Sequence, residues 1–341
     1  MQDIVTHSDE LEFSGKTRAR MHTLCIAGIL ACSAAPLLAH AQSAYPTRPI
    51  RIVVPTAPGS AADTLARVLS QPLAERLGQP VVVDARPGGS TIIGMEIVAK
   101  AAPDGHVLLI ALPALAINPS IRPTLPYDAL RDFAPITQAI SQANLFVVHP
   151  SLPARSAKEL VALAKARPGE LVYASSGVGT SSHLTVELFM LMSGTRMLHV
   201  PYKGPTPGVI DLVAGRVAVM AASTISSIAH VRAGRLRAIG VSTLARVPGL
   251  PDIPTVAESG VPGYESVSWF GLAAPAATPK DTISRLHRES VSILSAPAIR
   301  DQFAKDGSLV VAGTAAEFDA YIRNEIVKWA RVVKSADIKP E

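Results

Sequence analysis

The feature that most constrains this chain is an alternation of apolar strand, small-residue loop, helical stripe and apolar strand, run through twice. Ile50 to Pro55 is a β-branched run that stops at a turn rich in Pro and Gly. Leu65, Val68, Leu69 and Leu73 then recur at helical spacing, and Gly78-Gln79-Pro80 closes that helix before an apolar strand at Val81 to Val83. A further round follows: a loop at Arg86 to Ser90, an apolar helix-like segment from Ile92 to Ala102, a turn at Pro103-Asp104-Gly105 and a strand at Val107 to Leu112. Because strands separated by helices must be joined by crossovers, this grammar implies a doubly wound, mainly parallel sheet in an α/β fold.

The grammar restarts beyond the extended segment Leu145 to Val148. Helices are expected at Ser156 to Ala166, Ser182 to Met192 and Pro207 to Ala214, and strands at Leu171 to Ala174, Met197 to Val200, Val217 to Ala221 and Leu236 to Val241. After a stretch rich in Pro and Gly, Trp269-Phe270-Gly271-Leu272 is extended and leads back toward the first lobe. Two crossings imply a hinge near Val147-Val148 and Trp269-Phe270. The expected lobes are 42–146 with 268–341, and 147–267. Terminal helices at Asp281 to Leu294 and Ala315 to Val333 carry stripes such as Phe318, Ile322, Ile326 and Trp329 for packing on lobe one. A length of 341 residues is enough for each lobe to bury its own core.

Both cysteines, Cys25 and Cys32, lie in one apolar stretch near the start. A disulfide framework, a cysteine zinc site and a catalytic thiol are therefore excluded from the body after position 41. The stretch itself has the form of an export signal: Lys16, Arg18 and Arg20 flank an apolar run from Leu24 to Leu38, and Ala39-His40-Ala41 fits small-x-small cleavage before Gln42. Residues 1–41 are thus expected to be a signal peptide with an N-terminal extension, Met21 being an alternative start, and the mature chain to be periplasmic. A run of about 15 apolar residues is shorter than a membrane span. The net charge of +5 is scattered and aromatic residues are 4% of the chain, which argues against nucleic acid and for a mild attraction of anions.

Two loops carry the chemistry. Pro55 to Asp63, including Ala57, Gly59, Ser60 and Ala61, lies between a strand end and a helix start, where free N–H groups and the helix dipole favour an anion. Tyr173 to His183, including Ser175, Gly179, Thr180 and Ser181, repeats that arrangement in the second lobe with hydroxyl donors beside glycines. If the lobes face each other, two helix N-termini converge on one cleft suited to a carboxylate. Each loop could equally be turn and cap, and Asp63 could be a dipole partner for its own helix. Tyr202-Lys203-Gly204 offers a further contact or an ordinary surface turn. Gly177 to Ser182 lacks the third glycine of a dinucleotide loop, so no cofactor is expected. There is no G-x-S-x-G elbow and no H-E-x-x-H, and His183 with Glu187 gives two metal ligands without a third. An enzyme is not expected, a secreted α/β hydrolase being the weaker alternative.

Several ordered motifs resemble the substrate-binding proteins of tripartite tricarboxylate transporters, the Bug family. They are Tyr45-Pro46 with Arg48-Pro49-Ile50, the Pro55 to Asp63 loop, Arg86-Pro87-Gly88, and Ala102-Pro103-Asp104-Gly105. Ser175-Ser176-Gly177, Gly179-Thr180, His183-Leu184 and His199 to Gly204 follow, then Leu250 to Gly260, Pro262-Gly263-Tyr264 and Trp269-Phe270-Gly271. The resemblance implies a two-lobed periplasmic binding fold of the Venus-flytrap kind, monomeric by default. It also implies a small organic carboxylate held by the two loops, partly through water, and the membrane subunits of a transporter as partner, or a signalling sensor instead. The chain departs from the family where members often have Gly-Gly-x-Thr-Asp and here there is Gly59-Ser60-Ala61-Ala62-Asp63, and where Ile92 stands in place of a polar residue. If Ala62 and Ile92 line the pocket, a carboxylate with an apolar aliphatic or aromatic body is expected over a small polar one.

Overall fold

The computed structural model describes residues 45–305 and 307–338. The export signal expected over 1–41 lies outside them. The described residues from Pro46 onward form one compact unit, and its first half follows the expected alternation closely. Strand β1 (Ile50–Val54) is apolar at every position but Arg51, and it sits between β2 (Val81–Ala85) and β3 (Val107–Ala111), parallel to both. Helix α1 (Ala61–Leu77) links β1 to β2 and ends on Gly78 in the left-handed region, while α2 (Ile92–Ala99) links β2 to β3. A strand as apolar as β1, with Arg51 its one polar position, needs cover on both faces, which is why it is central and parallel.

Helix α3 (Ala114–Ile121) follows β3, and the chain then enters β4 (Phe133–Val148), a strand of 16 residues. From Phe133 to Ala143 it pairs with β9 (Val267–Pro275), and from Asn144 to Val148 with β7 (Val219–Ser223) and β8 (Arg237–Val241). The change of partners thus falls between Ala143 and Asn144, earlier than the crossing expected at Val147-Val148. Around β4 the second half repeats the first: β5 (Val172–Ser175) lies parallel to β6 (Leu198–Pro201) and to β7. Helices α4 (Ala157–Ala166), α5 (Ser181–Ser193), α6 (Pro205–Val213) and α7 (Thr224–Arg232) complete it. Its core includes Leu145, Val147, Leu212, Met220 and Val241. Each half therefore has a parallel core, but β4 and β9 run antiparallel to their neighbours, so the sheet as a whole is mixed.

The chain closes with α8 (Lys280–Leu294), α9 (Pro297–Lys305), β10 (Ser308–Val310), antiparallel to β4, and α10 (Ala315–Ser335). A capping box between Thr314 and Glu317 starts α10. Its buried stripe of Phe318, Ile322, Trp329, Val332 and Val333 packs on α3 and β4 as the periodicity implies, and it also reaches α5.

Candidate functional site

Both loops fold as strand end, turn and capped helix start, and most of their polar side chains are spent on holding that shape. In the first, the Ser60 hydroxyl caps α1 by accepting from Asp63 N–H at 3.2 Å and shares a 2.7 Å hydrogen bond with Thr56. Asp63 is buried. Its Oδ2 accepts from Gly59 N–H at 3.0 Å and from Arg67 Nε at 2.9 Å. The Arg67 hydrogen bond, helped by Gly59, holds the carboxyl below the usual carboxylate range against the opposing effect of burial. Asp63 is thus engaged by its own turn and by the first turns of its own helix. Ala57 and Gly59 are exposed at the turn, and the N–H groups of Ala61 and Ala62 have no acceptor within the helix.

The second loop is held more tightly. Ser175 is fully buried: its hydroxyl accepts from Gly177 N–H at 3.1 Å, is 3.2 Å from Gly177 O, and shares a 2.6 Å hydrogen bond with His199 Nε2. As a direct ligand contact it is therefore displaced by these internal bonds. Thr180 caps α5, donating to Gly177 O at 2.7 Å and accepting from His183 N–H at 3.4 Å. Ser181 shares a 3.0 Å hydrogen bond with Ser268 on β9. His183 is buried and accepts the Gly179 N–H on Nδ1 at 3.1 Å. The Tyr202 hydroxyl donates to Asp211 at 2.7 Å, and burial together with that carboxylate pushes it up to about 12, so it too is engaged away from the loop. What the loop leaves open are the first-turn N–H groups of Ser181 and Ser182.

Thr180→Val keeps the shape and loses the hydroxyl. It is expected to cost about 1–2 kcal/mol in urea unfolding, as other lost N-caps do, and unchanged stability would show that the cap contributes nothing.

No hydrogen bond joins the two loops among the described residues, and the links between them pass through α3. Gly94 on α2 lies so close to Pro55 that a Cβ would fall 2.7 Å from its Cβ. Asn118 on α3 donates to Ser90 O at 3.3 Å, and Gly179 approaches Ile121 at the end of α3. Gly179 has φ +72°, a conformation that favours glycine, whereas the Ile121 Cδ1 that a Cβ would approach to 2.6 Å is the end of a flexible side chain and can move aside. Open cavities of about 630 and 520 Å³ lie elsewhere, one between Pro119–Asp132 and Ile326, the other beside Glu187, Leu198 and Val332. Ala62 is turned into the core at 1% exposure, contrary to its expected place in a pocket lining.

Behind the second loop, sequence reasoning missed a polar seam. Thr185 on α5 shares a 2.7 Å hydrogen bond with Ser266 and accepts from Asn144 Nδ2 at 3.4 Å, so the point where β4 changes partners is tied to the helix that starts at the loop. These partners are separated by 41 to 81 residues, and no local pattern announces them.

Residues 65–338 match the family model of the tripartite tricarboxylate transporter family receptor. BugT of Bordetella pertussis is 36% identical over 318 residues, which is 93% of this chain and 98% of BugT. Among solved structures, Rpa4515 of R. palustris with adipate is 36% identical with a TM-score of 0.76, over 87% of this chain and 100% of that one. MatC of Rhodopseudomonas palustris with bound malate is 28% identical with a TM-score of 0.70, over 85% of this chain and 100% of that one. With its two α/β halves joined through β4 and β9, the chain belongs to the tripartite tricarboxylate transporter receptor family of solute-binding proteins.

Proposed function

We propose that this protein is a periplasmic solute-binding protein that captures a small organic carboxylate and passes it to the membrane subunits of a tripartite tricarboxylate-type transporter. The observation that carries the reading is the state of the two helix starts. Ser60, Asp63 and Thr180 satisfy their own turns, so the remaining first-turn N–H groups of the half-buried Ala61 and Ser181 are left for an anion. The similar proteins with adipate and malate support a carboxylate as that anion. In this reading the lobes meet at β4 and at the start of β9, capture is a closure about those strands, and no bond is made or broken. The 2.6 Å Ser175–His199 pair has the spacing of a nucleophile and its base, but Ser175 has no exposed surface to meet a substrate.

Ile92, half-buried at the start of α2, stands where family members often carry a polar residue, which supports a ligand with an apolar middle. Adipate near 100 times its dissociation constant is expected to stabilise the cleaved protein by about 2.7 kcal/mol, raising Tm by roughly 5 °C, with aspartate and citrate giving less. No shift with any mono-, di- or tricarboxylate would overturn the reading, and a larger shift with aspartate would overturn the apolar preference.

A further inference from the structure

The second loop hangs on two imidazoles. His183 on α5 and His199 on β6 stack face to face, with centroids 3.9 Å apart and planes 8° apart, and Tyr173 of β5 stacks on His199 at 4.9 Å. Each ring holds one end of the loop: His199 Nε2 is bonded to the Ser175 hydroxyl at 2.6 Å, and His183 Nδ1 accepts the Gly179 N–H at 3.1 Å. An imidazole nitrogen that accepts a hydrogen bond carries no proton, so neutral His183 is protonated on Nε2, the atom 3.5 Å from Glu187 Oε1. The second proton of an imidazolium has one place to go, and that is Nδ1. Two N–H groups would then face each other across the gap that now holds a hydrogen bond, and Gly179 would lose its anchor.

We propose that His183 is a positioning residue whose neutral form holds the 175–183 loop for anion capture, so that protonation of its Nδ1 frees Gly179 and weakens ligand retention as pH falls. This deepens the proposed function and rests on 175–183 being the capture loop. The surroundings keep the proton off His199. Burial, and then the charge of the neighbouring ring, press His199 down to about 4, so it stays neutral while His183 is stacked on it. Glu187, on the same helix as His183, faces its Nε2 and accepts the Tyr173 hydroxyl proton on β5. Glu187 also lines a cavity with Arg196, to which α10 contributes the uncharged Val332, Ser335 and Ala336. On the other flank of α5, the segment entering β9 and β9 itself present Ser266 and Ser268.

The test is amide hydrogen exchange of the ligand-free mature chain between pH 7.5 and 5, corrected for intrinsic rates, with adipate titrations at both pH values. In the wild type, protection over 175–183 is expected to fall at least tenfold while that over 57–66 stays level. His183→Asn places an amide oxygen where Nδ1 stood and cannot be protonated, so its protection is expected to be flat. Because adipate's own carboxyls begin to protonate toward pH 5, the two proteins are compared at each pH, and the wild type should lose about tenfold in adipate affinity relative to the variant. Level protection in the wild type, or the same slope in His183→Asn, would overturn the proposal. If neither adipate nor any other carboxylate binds at either pH, the carboxylate reading fails by itself, while the exchange measurement still decides the role of His183.

Discussion

Glu325→Ala is expected to destabilise the protein by about 4 kcal/mol, because one buried carboxylate oxygen serves two tryptophans at once. Glu325 is 3% exposed, and its Oε2 accepts from Trp269 Nε1 at 3.1 Å and from Trp329 Nε1 at 2.8 Å. Lys328 makes the ion pair on the other oxygen. Both indoles are buried, so removing the acceptor leaves two donors without a partner at about 1–3 kcal/mol each, and takes a carboxylate partner from the partly exposed Lys328. For a chain of this size about 4 kcal/mol corresponds to a fall in Tm of roughly 8 °C. Trp269 lies on β9 and Trp329 on α10, and they are the only two tryptophans in the sequence, so intrinsic fluorescence reports on this junction alone. The emission should shift with the stability. Glu325→Gln retains an oxygen acceptor and should cost far less, about 1 kcal/mol. An alanine variant with wild-type Tm would mean that the two indole bonds contribute nothing net.

This clasp also marks the limit of what the sequence reveals. The apolar periodicity of Phe318, Ile322 and Trp329 shows that α10 has a buried face. It cannot show that Glu325, a charged residue by type, belongs to that face, because its burial is set by two indoles, one of them 56 residues away in sequence. The parallel cores were legible for the opposite reason: Val107–Ala111 is a continuous apolar run and Ile50–Val54 is broken only by Arg51, and short apolar runs between capped helices have few other solutions. Most of β4 was not legible, since Thr137, Gln138, Gln142 and Asn144 break its apolar run, yet all four are buried where neighbouring strands and loops meet them. Helix α3 was missed because Asn118 and Pro119 interrupt it, and α7 because Thr224, Ser226 and Ser227 leave it little apolar contrast. At the candidate site the loops were found by type, small residues between strand and helix. The division of labour within them was not, because the capping and ligand-binding readings of a Ser or Thr at a helix start use the same residues. Ser175 illustrates this: its place after a strand suggested a free donor, and the distant His199 consumes it.

Gly271→Ala is expected to cost about 3 kcal/mol, at the upper end of what an added methyl group does in a packed core, although nothing in the glycine's own backbone demands it. The obstacle is spatial. Gly271 sits in β9 opposite Ala111 of β3 and Gln138 of β4, and a Cβ there would fall 2.3 Å from Phe318 Cζ, 2.5 Å from its Cε1 and 2.7 Å from the Thr137 carbonyl oxygen. The ring cannot easily withdraw, since Phe318 is fully buried and packed edge-on against Trp269 with centroids 5.5 Å apart. The carbonyl is backbone of β4, and Thr137 is itself anchored by a 2.7 Å bond from its hydroxyl to Gly313 O. Calorimetry should therefore show Tm lowered by roughly 6 °C. Phe318→Leu removes the ring edge, so the double variant should lose at least 1 kcal/mol less than the two single losses added together, the non-additivity that contacting residues show. The remainder should persist, because the Thr137 carbonyl still blocks the methyl group. Strict additivity would mean that the ring is not what excludes a side chain at position 271, and that the close approach of β9 to β4 alone requires the glycine.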